Sequence, residues 1–204
     1  MGYTPYWFRP PRLDPVTFDA IRADLARLLP VLTANGLPLA GPDGTGDPVL
    51  AADRLAFNEI AACGHPGLPA AFAADAAPAP GGRTASPPPD TSGLAAALLP
   101  VHPCSGDCSH DAFVFERVLT LRPWDRPEPD GRSFRCCKTA RKPYDLAVTA
   151  ALIAIAHHGP AVTVASDGTD ADWALARTLC AAGLGYGATF RLPVDDPDAG
   201  IPIR

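Results

Sequence analysis

The chain has 204 residues, a formal net charge of −5 and a pI near 5.4. That length suits one domain able to bury a core without metal or disulfides, and that charge argues against broad attraction to nucleic acid or anionic membrane, leaving only local patches. No apolar run approaches the roughly 18 residues of a membrane span, and residues 1–12 lack the apolar stretch of a signal peptide. Gly2 is not followed by Ser or Thr at position 6, so no myristoyl anchor is indicated. A cytoplasmic protein is expected, its six cysteines held as thiols or metal ligands.

Residues 2–9 are aromatic and β-prone, and the pair Pro10-Pro11 bounds them, so an opening strand is expected. Asp14 then caps a helix with Pro15 at its first position. Phe18, Ile21, Leu25, Leu28 and Leu32 recur at intervals of three and four, and Asn35-Gly36 stops the helix. After a Gly-, Pro- and Asp-rich loop, residues 49–59 read as a strand or hairpin carrying Leu55 and Phe57. The stretch around 70–92 is dominated by Ala, Pro, Gly and Ser and reads as a mobile insertion, because it has too little apolar surface to offset the entropy of ordering.

Residues 112–119 alternate as a strand, and a proline-rich loop follows. Residues 143–158 form a nearly all-apolar helix, expected to be buried on more than one side, with Pro143 at its first position and Lys142 at its cap. Residues 161–166 read as a buried strand. Thr169 with Asp172 resembles a capping box for a helix over 170–182, and residues 184–192 are expected to supply a last strand. The order predicts an α/β protein of the α+β kind: a mixed sheet with about three helices packed mainly on one face, residues 1–204 forming a single domain.

The basic residues divide as fifteen arginines and two lysines, and both lysines, Lys138 and Lys142, fall in one segment. That segment also holds Arg132, Arg135 and Arg141, with no acidic residue between Gly131 and Asp145. An ammonium group is a compact charge whose pKa shifts readily, unlike a guanidinium. The unpaired N–H groups of a helix start attract anions, so a phosphate or carboxylate pocket is expected at this point. Asp145 offers an alternative, since it can satisfy those N–H groups or hold Lys142 itself. The basic groups can equally line a solvated loop.

Three weaker patterns accompany it. His102, Cys104, Cys108 and His110 could wrap a tetrahedral zinc, although their compact spacing is not that of a standard finger and the thiols can be ordinary loop residues. Adjacent Cys136 and Cys137 point in opposite directions on an extended chain, which puts one in the core. Ser166-Asp167-Gly168 lies between a strand and a helix, where open sheets place ligand contacts, though alone it is only a turn.

Three pieces together, Gly2 to Trp7 (Gly-Tyr-Thr-Pro-Tyr-Trp), Cys137 to Asp145 (Cys-Lys-Thr-Ala-Arg-Lys-Pro-Tyr-Asp) and Ser166-Asp167-Gly168, resemble a family of uncharacterised proteins from phages and actinobacteria. Members of that family open Gly-Tyr-Thr-His-Tyr-Trp; Pro5 stands here in place of the histidine. Phe57-Asn58 and Ser109-His110-Asp111 resemble intermediate segments of the family. The resemblance implies a shared pocket and supplies no reaction.

The leading expectation is therefore binding of an anionic small molecule, a nucleotide or phosphorylated metabolite. Lys138, Thr139, Arg141 and Lys142 would hold it, Tyr3, Tyr6 and Tyr144 would form walls, and Asn58, Ser166 and Asp167 would lie nearby. For an enzyme, Lys138 or Lys142 would act with His110 or Asp145 as proton partner. The rival expectation is a non-enzymatic interaction protein whose basic segment docks an acidic partner or a nucleic-acid backbone, with the cysteine loop holding zinc.

Overall fold

The computed structural model describes residues 3–63, 106–121, 123 and 125–193; the expected 70–92 insertion lies outside them. Strand β1 (Pro5–Arg9) buries Pro5, Trp7 and Arg9 and turns Tyr6 and Phe8 outward. Proline is tolerated because it is the first residue of the strand, where one missing donor costs least. Helix α1 (Pro15–Ala34) starts at Asp14, whose carboxylate accepts from Thr17 N–H at 3.0 Å. The expected stripe of Phe18, Ile21, Leu25, Leu28 and Leu32 is buried.

Strands β2 (Leu39–Ala40), β3 (Val49–Leu50), β4 (Arg54–Glu59) and β5 (Phe113–Glu116) form one antiparallel sheet, with β4 between β5 on one edge and β2 and β3 on the other. The other antiparallel sheet has the order β6-β1-β7, from β6 (Ser133–Cys136) and β7 (Thr163–Ser166). The two sheets meet where Leu13 N–H donates to Arg117 O at 2.9 Å and Leu119 N–H donates to Pro11 O at 2.7 Å. Trp7, Phe113, Phe115, Phe57 and Phe18 fill the space between, with Trp7 and Phe113 centroids 5.6 Å apart.

Helix α2 (Asp145–His158) packs between α1 and α3 (Ala174–Leu184), and every residue from Ala147 to Ile155 is buried. The α+β class is thus the observed one, with three α-helices among the described residues. The capping expectation is met in a tighter form: Asp172 accepts from Thr169 N–H at 2.7 Å, and a 3-10 turn (Asp170–Trp173) leads into α3.

Three expectations need correction. Residues 184–192 form no strand, because Gly185 adopts a left-handed conformation (φ +83) that ends α3, and Phe190 then stacks on Trp173. β6 was not anticipated. The helix after Pro143 begins two residues later, at Asp145 with Tyr144 as its cap, so Lys142 is not the capping residue. Among the described residues no helix is long and apolar enough to cross a membrane.

Candidate functional site

The segments singled out in the sequence, far apart in the chain, converge at one end of the β6-β1-β7 sheet. Thr139 and Ala140 N–H both donate to Tyr3 O, at 3.1 and 3.0 Å, and Cys137 N–H donates to Pro5 O at 3.0 Å. Thr4 N–H donates to Asp167 at 2.7 Å. Asn58 clamps the next loop, its amide donating to His110 O at 2.8 Å. The Tyr144 hydroxyl donates to Asp111 O at 2.7 Å. Gly168 is required by this packing, because a Cβ there would lie 2.2 Å from the Tyr3 ring.

The helix start itself is occupied by the protein's own groups. Tyr144 N–H donates to the buried Glu59 carboxylate at 2.9 Å, while Asp145 N–H and Leu146 N–H donate to Lys142 O and Pro143 O. An internal carboxylate therefore takes the place that a phosphate was expected to fill. The Asp145 carboxyl accepts from the Thr139 hydroxyl at 2.6 Å. Burial raises its pKa to about 6, against the lowering effects of Thr139 and Arg141.

The cations of the segment have separate fates. Arg141 pairs with Asp172 at 2.7 Å and lies 4.3 Å from the centroid of the buried Tyr3 ring. The Lys142 ammonium donates to Asp107 O. Lys138 is exposed, and among the described residues only its backbone is engaged, its N–H donating to the Asp111 carboxylate at 3.3 Å. His110 is partly exposed beside Asp111, and its Nδ1 accepts from Asp111 N–H at 2.9 Å. Ser166 Oγ accepts from Gly168 N–H at 3.0 Å, and Tyr6 lies on the outer face of the sheet, away from this junction.

The turn that joins these groups is strained. Ala140 and Arg141 have φ of +51 and +57, and Lys142 N–H closes the turn onto Thr139 O at 3.0 Å. Asn-Gly is the usual pair in such a turn, because a Cβ in the left-handed region costs about 1–2 kcal/mol per residue. The bonds to Tyr3, Asp145 and Asp172 hold it in place.

Of the proposed zinc ligands, His102 and Cys104 lie outside the described residues. Cys108 is buried, and among the described residues no three His, Cys, Asp or Glu side chains are grouped to hold a metal. Cys137 is buried and Cys136 exposed, each with a free thiol, as their adjacency implied.

A second arrangement went unnoticed in the sequence. Between β5 and β6, with β1 as its floor, lies a cleft of about 540 Å³, within the size range of small-molecule sites. Three guanidinium groups line it (Arg9, Arg54, Arg135) and two carboxylates (Glu116, Asp125). Arg135 pairs with Asp125 at 2.8 Å. Arg9, only 1% exposed, makes no such ion pair among the described residues: it donates to the carbonyls of Pro10, Glu116 and Arg117 and lies 4.5 Å from the Phe115 ring centroid. Burial, aided by repulsion from Arg135 and opposed by attraction to the Glu116 carboxylate, lowers its pKa to about 10. The indole N–H of Trp7, which also lines the cleft, is buried without a hydrogen-bond partner among the described residues.

A buried cation bonded to carbonyls, with the Glu116 carboxylate near but not in an ion pair, and a buried donor with no acceptor among the described residues both favour an anion in the cleft. The signal for Arg9 was available in the sequence, since it shares the inward parity of Pro5 and Trp7. Compared with family models, curated proteins and solved structures, the chain has no significant match.

Proposed function

We propose that the protein binds an anionic small molecule, a nucleotide or phosphorylated metabolite, in the cleft between β5 and β6, with Lys138 at its rim. The observation that carries this is the pairing, in one cavity, of the buried Arg9 guanidinium, which makes no ion pair among the described residues although Glu116 lies near, and the Trp7 N–H, which has no hydrogen-bond partner among them. Arg54 makes no ion pair among the described residues and adds a third positive group at the mouth. Cys136 lines the cleft, and Lys138 follows it by two positions on the exposed side of the chain, which supports extending the site to Lys138. An anion there would gain charge-assisted hydrogen bonds in a partly desolvated place, where they are strongest.

A panel of nucleotides and sugar phosphates, read by thermal shift, tests this. Saturating ligand should raise stability by about 2–3 kcal/mol at a hundredfold excess over Kd. Arg54→Ala should remove most of the shift and Lys138→Ala part of it, both at exposed sites that leave the fold intact. A panel that shifts nothing, or a shift equal in wild type and Arg54→Ala, overturns the proposal. Binding of an acidic protein or an oligonucleotide with steep salt dependence, and of no small anion, would favour the docking alternative.

A further inference from the structure

We infer that the ligand of this cleft carries a nucleobase, which stacks on Phe134 while its phosphate faces the guanidinium groups. The inference rests on the anion-binding reading above and adds to it the chemistry of the non-phosphate half. β6 has its polarity inverted: Ser133 is 2% exposed, whereas Phe134 is 43% exposed. A large ring left open on the edge strand that lines the cleft is the informative kind of exposed apolar group. Phe134 is not isolated. Its ring centroid lies 5.5 Å from Phe8, edge to face at 61°, and 5.7 Å from Tyr6.

These rings stand on the side of the sheet opposite Trp7 and Val164, which face the interior. The Arg132 guanidinium lies 5.8 Å from the Phe8 centroid. A platform of rings inclined to one another and edged by arginine, whose exposed Phe134 also lines the cationic cleft, complements a flat base joined to a phosphate. An aliphatic sugar phosphate would use the cleft and leave the platform idle.

Titration calorimetry with inorganic phosphate, ribose 5-phosphate and AMP, on wild type, Phe134→Ala and Phe134→Leu, separates the possibilities. AMP should bind about tenfold to a hundredfold more tightly than ribose 5-phosphate, the usual gain from base–aromatic stacking. Phe134→Ala should erase that preference and leave ribose 5-phosphate unchanged, with Phe134→Leu in between. Equal affinity for AMP and ribose 5-phosphate overturns the nucleobase inference while leaving the anion site standing. An AMP preference that survives Phe134→Ala also overturns it. If none of the three probes binds, both readings fall. If Phe134→Ala instead abolishes a concentration-dependent dimer and has no effect on AMP, the platform is a contact between copies of the chain and the inference is wrong.

Discussion

Replacing Asp145 by Asn should alter how stability depends on pH, by an amount the structure sets. Burial strips water from the charged carboxylate and raises its pKa from 3.8 to about 6. Between those values the folded protein keeps a proton that the unfolded chain has released, so unfolding free energy falls as pH rises through this interval and stays low above it. At about 1.4 kcal/mol per pH unit, the loss comes to roughly 3 kcal/mol. Asn has nearly the same shape and keeps an oxygen to accept from Thr139, but carries no charge to desolvate. The raised pKa already includes the attraction to Arg141, so the gain between acid and neutral pH should approach the same roughly 3 kcal/mol. Urea unfolding of both proteins from about pH 4 to about pH 7 measures this directly. The variant should match or fall below wild type at the acid end and overtake it as pH rises. Two curves running parallel across the range would show that Asp145 is not desolvated as described.

Three further outcomes follow from the junction. Ala140→Gly relieves a left-handed alanine at the cost of added chain entropy, and should stabilise by roughly 0.5–1 kcal/mol, seen as a higher melting temperature; a drop would mean that the turn is not strained. Gly168→Ala pushes a methyl group into the buried Tyr3 ring and should cost about 1–3 kcal/mol in chemical denaturation, whereas a neutral result would refute the close packing of the two loops. Glu59→Ala strands the N–H of Tyr144 at the α2 start and should cost roughly 1–3 kcal/mol, while Glu59→Gln, which keeps an acceptor, should cost less.

How far the chain could be read depended on whether its determinants were local. α1 was legible because its cap, its stripe and its stop all lie within the helix and its flanks. α2 was legible from its continuous apolar composition. Its start was misplaced by two residues because Glu59, 85 positions away, supplies what a local cap would have supplied. β6 was invisible because the usual alternation is reversed there, with serine facing inward and phenylalanine outward. The junction segments were identified as individual motifs, yet their partners were not: Arg141 went to Asp172, Lys142 to a carbonyl and Thr139 to Asp145. Strand parity marks Arg9 as inward-facing, but the cleft itself was beyond local patterns, because five separate stretches contribute to it.

The placing of β1 between β6 and β7 bears on how the molecule is made. Tyr6 pairs with Cys136 on one side and Ala165 on the other, so this strand must wait for partners well over a hundred residues downstream. At roughly 5–20 residues per second, its aromatic side chains stay unpaired for on the order of ten seconds during synthesis. While unpaired, such a segment exposes apolar surface that favours aggregation. Assembly of this sheet, rather than of the helices, should therefore be the slow step.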